Sequence, residues 1–307
     1  MLLYLLIFVL FCAILIKSSS YAVRSIAHLS RAMRLTEFVT SFIVVALVSA
    51  LPETLISVLS AIDGAPAIGI GTLLGSNIAD LTLILGLVAL VGGQIRIHSS
   101  IVKKDLWFVI LTMLPIFLAL DGLLSRIDAA ILLIAGITFI AVLLKERGYF
   151  HKPYQDGNHA LKQLIIFILS IGAMLVSAHY IVYSAEQLAL GIGVPPLIIG
   201  LVLIALGTTL PEFSFSLQSV RKGHSALAIG DLLGVVVVDA TIIIGITAMI
   251  TPVVLDHAFV ILIGTFTAFA ALAALIFMRT DATVTKNEGL ALVLFYVAFV
   301  AVQAFVT

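Results

Sequence analysis

The chain has 307 residues, of which 62% are hydrophobic and only 10% charged, and its mean hydropathy is +1.28. So little charge cannot cover a soluble domain of this length, and the composition is that of an all-α polytopic membrane protein. A net charge of zero with no basic face excludes nucleic acid as a partner, and the single Cys12 excludes an intrachain disulfide framework or a cysteine metal cluster.

Apolar runs separated by charges place ten spans at 2–22, 37–62, 66–91, 106–120, 128–144, 163–189, 196–219, 225–250, 258–278 and 289–306. The first run resembles a signal-peptide core over residues 2–16. No positive residue precedes it, Lys17 follows it and no small-residue cleavage site is evident, so it reads as an uncleaved first span. The run at 106–120 is short for a bilayer and draws on neighbouring polar residues. Between the fifth and sixth spans lies a short polar linker, 145–162, with no room for a soluble regulatory domain. It divides the chain into halves at 1–144 and 163–307.

Lys17, Arg24, Arg31 and Arg34 follow span 1, Arg96, Lys103 and Lys104 follow span 3, and Lys145, Arg147, Lys152 and Lys162 follow span 5. Arg221 and Lys222 follow span 7, Arg279 and Lys286 follow span 9, and only Arg126 falls on the other side. By the positive-inside rule these loops are cytoplasmic and both termini lie outside.

Within the halves, one stretch is written twice. Shifting the sequence by 159 positions lays Ala205–Gly245 on Ala46–Gly86, with 18 of 41 pairs identical and no gap. The shared residues include Pro52/Pro211, Glu53/Glu212, Gly75/Gly234 and Asp80/Asp239. The first copy turns at Asp63-Gly64, without positive charge, and the second at Arg221-Lys222-Gly223-His224. The copies therefore cross the membrane in opposite senses, as two inverted five-helix halves. That is the architecture of secondary transporters, which bind substrate near the midplane.

Proline lacks an N–H and disfavours helix in the residue before it, so each Leu-Pro-Glu breaks its helix and starts a half-helix just before the glutamate. This predicts free carbonyls at Ala46-Leu47 and Ala205-Leu206, with the hydroxyls of Ser49, Thr208 and Thr209 beside them. A plain proline kink is the bland alternative, and the duplication with its paired glutamates argues against it. Glu53, Asp80, Glu212 and Asp239 are the acids deepest in spans. Four of them facing lipid cost on the order of 10 kcal/mol, so they face one another or water. Oxygen ligands without His or Cys suit a hard cation such as Ca²⁺ better than zinc or copper. Ser76 lies four residues before Asp80 and shares its face, whereas its counterpart Val235 cannot bind an ion. Gly75 and Gly234 permit close helix approach. Asp231 reads as a solvated helix end rather than a vestibule residue, Asn77 as a hydrogen bond between helices, and His179 with Glu186 as structural or interfacial rather than a proton relay.

Gly207-Thr208-Thr209-Leu210-Pro211-Glu212, Leu51-Pro52-Glu53 and Gly75-Ser76-Asn77 resemble the paired alpha-repeat motifs of the cation/Ca²⁺ antiporter superfamily, whose best-known members are sodium/calcium exchangers. The resemblance implies ten helices, Glu53 and Glu212 as a central pair shared by Ca²⁺ and Na⁺, and Asp80 with Asp239 completing the site. It also implies that spans 1 and 6 slide across the rest. Val48-Ser49-Ala50 departs from the family's Gly-Thr-Ser, Gly71-Thr72 and Gly230-Asp231 from its Gly-Asn, and Gly234-Val235-Val236 from its Gly-Ser-Asn. Hydroxyls are thus missing at Ala50 and Val235. The expected function is exchange of Ca²⁺ for Na⁺ by alternating access, with a proton-coupled divalent exchanger as the alternative. The protein is expected to be no enzyme, to need no cofactor, and to act as a monomer in the plasma membrane. An intramembrane aspartyl protease built on Asp80 and Asp239 lacks its Tyr-Asp and Gly-x-Gly-Asp contexts and leaves the Leu-Pro-Glu repeats without a role. A passive cation channel would differ by showing no flux coupling.

Overall fold

A computed structural model describes residues 1–32, 46–93, 95–96, 105–145, 160–221, 223, 225–279 and 283–306. The start of the second predicted span, residues 146–159 of the linker, and Arg34, Lys103, Lys104, Arg147, Lys152, Lys222 and His224 lie outside the described residues.

In chain order the first part contains α1 (Leu2–Ala32), α2 (Ala46–Ser49), α3 (Leu51–Ile62) and α4 (Pro66–Ala79). A π turn (Asp80–Ile84), α5 (Leu85–Gly92), β1 (Ile95–Arg96), α6 (Asp105–Leu118), β2 (Leu123–Leu124) and α7 (Arg126–Lys145) follow. The second part contains α8 (Ala160–Ile192), α9 (Pro196–Ile198), a π turn (Ile199–Ile204), α10 (Ala205–Thr208) and α11 (Leu210–Arg221). It continues with α12 (Ser225–Val238), a π turn (Asp239–Ile243), α13 (Ile244–Ile250), β3 (Val253–Val254), α14 (His257–Arg279), β4 (Thr283–Val284) and α15 (Lys286–Val306). Among the described residues, seven helical rods are long and apolar enough to cross a membrane, and Leu51–Ile62 and Trp107–Asp121 are shorter apolar helices.

Local chemistry sets the element ends. Pro52, Pro66 and Pro196 occupy first-turn positions, where a missing N–H leaves no bond unmade. Gly64 and Gly223, matching positions of the two copies, both turn the chain with positive φ, 82° and 80°. Two capping boxes also match. Ser125 donates through its N–H (2.9 Å) and hydroxyl (2.6 Å) to Asp128 at the start of α7, and Thr285 does the same to Glu288 (2.7 and 2.7 Å) at the start of α15. Two short antiparallel pairs tie distant loops together, Ile95 to Val284 and Leu124 to Val253.

Lipid is as apolar as leucine, so these helices associate through close packing rather than water exclusion. The rods Pro66–Gly92 and Leu227–Ile250 are each 78% buried, which makes them central, whereas Leu2–Ala22 is 22% buried and lies outermost. The core is tightest where α4 crosses the 196–204 segment. A Cβ on Gly71 would overlap the Leu197 carbonyl oxygen, one on Gly75 that of Leu201, and one on Gly200 that of Ile68. The close approach expected at Gly75 is therefore present. α1 packs along α8, with Phe11 stacked on Tyr180 at 4.4 Å and Tyr4 edge-on to Tyr183 at 6.0 Å.

Candidate cation site

The interruption expected at each Leu-Pro-Glu is present and confined to one residue. Ala50 (φ −72°, ψ 0°) separates α2 from α3, and Thr209 (φ −79°, ψ −5°) separates α10 from α11. Glu53 and Glu212 thus stand in the first turns of new half-helices, with the positive end of the helix dipole behind each carboxylate. The expected free carbonyls are a different matter. Ala46 C=O accepts the Ala50 N–H at 2.9 Å and the Ser49 hydroxyl at 3.3 Å. Ala205 C=O accepts the Thr209 N–H and the Thr208 hydroxyl, both at 3.1 Å. Proline deprives the carbonyl four residues back, so the groups without a helical donor are those of Val48 and Gly207.

Asp80 and Asp239 each open a π turn, a feature that periodicity does not predict. Such turns occur often at functional sites, because the extra residue re-aims the side chain. In each, a threonine two residues on, Thr82 or Thr241, donates back to the carbonyl four residues earlier, Ile78 or Val237.

Glu53, Asp80, Glu212 and Asp239 are all fully buried. Both carboxylate oxygens of Glu53, Asp80 and Glu212, and Oδ1 of Asp239, have no hydrogen-bond partner. The second oxygen of Asp239 accepts from Ser76 Oγ at 3.2 Å. The four acids act on one another. Glu53 repels Asp80, Glu212 and Asp239, Asp80 repels Glu212, and Asp239 repels Asp80. The structure therefore brings all four sequence-predicted acids into one electrostatic neighbourhood. Among the described residues, no three acid, His or Cys side chains close into a compact metal cluster. Hydroxyls stand at the edges of the set instead. Thr208 neighbours the Glu53 carboxyl and Ser76 joins Asp239, whereas the Thr209 hydroxyl is turned back to Leu206 C=O of its own segment at 3.3 Å. Ala50 and Val235, the positions lacking hydroxyls, are fully buried in an apolar cluster.

Three residues stand differently from their sequence reading or were missed by it. Asp231 is not a solvated helix end: it is fully buried, and its Oδ1 accepts from Ser49 Oγ at 2.9 Å. Its position near a helix start suggests exposure in one dimension, but α12 packs against α2, which sets Ser49 on it. Tyr296, in α15, carries a buried hydroxyl without a partner and interacts with Asp80. A lone tyrosine in an apolar span offered no signal for this. The Asn77 side-chain oxygen, expected to bond between helices, is buried and unpartnered. His179 and Glu186 both face Asp63 at the turn after α3, with His179 Nδ1 3.9 Å from Asp63 Oδ2.

The model of the sodium/calcium exchanger protein family matches residues 3–145 and 162–305. The chain belongs to this family. The match takes in both copies of the duplicated stretch and omits residues 146–161, which fall within the polar linker. An inner membrane protein of Escherichia coli, YrbG, is 29% identical over 79% of this chain and 78% of its own. The sodium/calcium exchanger MaX1 of Methanosarcina acetivorans is 26% identical over 98% of each chain. Among solved structures, the sodium–calcium exchanger NCX_Mj soaked with Na⁺ and Sr²⁺ superposes with a TM-score of 0.73 at 23% identity, over 98% of each chain. The same exchanger soaked with Na⁺ alone gives 0.72 at 24%. The fold is thus that of an exchanger, and the protein is a membrane transporter of this family.

Proposed function

We propose that this exchanger-family chain carries Ca²⁺ in exchange for Na⁺ by alternating access. The observation that carries this reading is the set of buried acids, Glu53, Asp80, Glu212 and Asp239, which between them share one side-chain hydrogen bond at full length, from Ser76 to Asp239, and leave their other oxygens open. Four converging carboxylates repel unless cations or protons are present. A divalent ion that takes six to eight oxygens neutralises two charges at once and can draw further ligands from Ser76, Thr208, Thr209 and the second lone pair of the Ala205 carbonyl, while Ser49 and the Ala46 carbonyl offer oxygens to Na⁺. Na⁺ entering the same carboxylates displaces it. Because an empty site leaves the acids uncompensated, it crosses poorly, and that asymmetry gives exchange rather than leak. The names of MaX1 and of the NCX_Mj structures, soaked with Na⁺, Ca²⁺ or Sr²⁺, support the same ions.

The frame of this reading is ten spans in two inverted halves, 1–144 and 163–307, with both termini outside the cell membrane and one chain sufficient for transport. Its moving part is the pair α1 and α8, held to each other by aromatic contacts. Proton coupling is the second reading. It is favoured by the apolar surroundings of Ala50 and Val235, where a sodium ligand would need a hydroxyl, and by the acid at Asp80. Proteoliposomes loaded with Na⁺ and then diluted into Na⁺-free medium test both. Ca²⁺ uptake is expected to follow the Na⁺ gradient, and uptake that follows an imposed pH gradient while ignoring Na⁺ replaces the first reading with the second.

A further inference from the structure

We propose that Asp231, together with the Ser49 hydroxyl, forms a separate binding position for one Na⁺ beside the four-acid site. This deepens the exchange reading above and rests on it. Asp231 is fully buried and only one of its oxygens is engaged. Oδ1 accepts from Ser49 Oγ at 2.9 Å, while Oδ2 has no partner. The charges it meets in the site have its own sign, since it acts on Glu53, Asp80 and Glu212. A buried carboxylate with one open oxygen among other acids needs its charge neutralised, and a small cation beside the open oxygen does so while using the Ser49 hydroxyl as well.

The duplication shows that this acid is not there for the fold. Its counterpart in the first copy is Thr72, also fully buried, whose hydroxyl is satisfied within its own helix by Ile68 C=O at 2.9 Å. A neutral residue therefore serves the equivalent packing position. Asp231 instead reaches across to a residue 182 positions away, on the short helix α2.

The oxygens on offer select a monovalent ion. Asp231 supplies one negative charge, the Ser49 hydroxyl can turn its lone pairs toward a cation, and the Ala46 carbonyl lies 3.3 Å from that hydroxyl. A divalent hard cation requires more oxygens and more charge, which the four-acid set supplies. Ser49 precedes Ala50, where a hydroxyl is missing, so an acid has been gained across from the turn where a neutral ligand was lost. Because α2 leads directly into the turn that carries Glu53, occupancy at Asp231 is sensed at the divalent site through one short helix.

The test is ⁴⁵Ca²⁺ exchange in proteoliposomes containing the full chain, titrated with Na⁺ for wild type, Asp231→Asn, Ser49→Ala and Glu53→Gln. Asp231→Asn is expected to raise the half-inhibiting Na⁺ concentration about tenfold and to lower the Hill coefficient by about one, with the half-saturating Ca²⁺ concentration moving less than about threefold. Ser49→Ala should shift Na⁺ in the same direction by a smaller factor, and it decides the question if Asp231→Asn does not yield a monodisperse protein. An unchanged Na⁺ titration overturns the proposal. So does a Ca²⁺ shift as large as the Na⁺ shift, which would place Asp231 inside the divalent site. Either result alongside an inactive Glu53→Gln leaves the exchange reading standing, whereas a Glu53→Gln protein that exchanges Ca²⁺ normally brings down both.

Discussion

Replacing Gly75 with alanine adds one methyl group at the tightest crossing in the fold. The added Cβ would overlap the Leu201 carbonyl oxygen and lie 2.7 Å from the Leu201 carbonyl carbon and 2.9 Å from Ala205 Cβ. Carbon atoms pack best at about 3.5–4.0 Å, so α4 and the 199–208 segment must part by roughly 1 Å. Two of the three obstructing atoms are backbone, and no rotamer change relieves them. Overpacking of this kind costs about 1–3 kcal/mol. The displacement falls on Ser76, the next residue, which donates to Asp239, and on Ala205, which leads into Thr208. Function should therefore suffer more than stability. In detergent, Gly75→Ala is expected to melt several degrees below wild type, and Ca²⁺ exchange in proteoliposomes should fall at least about tenfold, as misplacement of ligands by about 1 Å does elsewhere. Gly172→Ala is the control: no atom lies within 4 Å of its added Cβ, so stability and exchange should hold or improve slightly. A Gly75→Ala protein with wild-type melting and wild-type exchange would refute the close crossing and its role in positioning the site.

Other outcomes follow from the same geometry. Glu53→Gln and Glu212→Gln should each abolish Ca²⁺ exchange, and wild-type flux in either removes the central pair from the site. Ca²⁺ at a hundred times its dissociation constant should stabilise the wild type by about 2.7 kcal/mol, read as a higher melting temperature, and should do little for Glu53→Gln; equal shifts in the two proteins would place Ca²⁺ elsewhere. Removing the cap at α7 with Asp128→Ala should lower stability by about 1 kcal/mol while exchange continues, since Asp128 joins Ser125 at a helix start. Loss of exchange there would show that the cap does more than close a helix end. Ser76→Ala should weaken cation affinity without unfolding the protein, because it leaves Asp239 without its one hydrogen bond.

Much of this site is legible in the sequence because each signal is improbable in a membrane. An acid deep in an apolar run is costly, and a proline followed by glutamate interrupts a helix. The repetition of both after 159 residues makes chance untenable. Asp231 illustrates where this reasoning stops. Near the start of its run it reads as a helix end meeting water, and only the covering helix α2 turns it into a buried acid. The Ala46 and Ala205 carbonyls keep their helical donors for a local reason, since proline removes a donor four residues away rather than six. The capping boxes at Ser125 and Thr285 are present in the sequence as Ser-x-x-Asp and Thr-x-x-Glu.

By itself, the sequence determined that the chain lives in a membrane and which acids lie deep in its apolar runs, because these follow from transfer cost along a single strand. The tertiary structure alone decided which oxygens remain open. It placed Ser49 against Asp231 and Ser76 against Asp239, set Tyr296 beside Asp80, and re-aimed both aspartates through π turns. Those pairings join residues more than a hundred positions apart, and hydrogen bonds between helices depend on crossing geometry that no local pattern encodes.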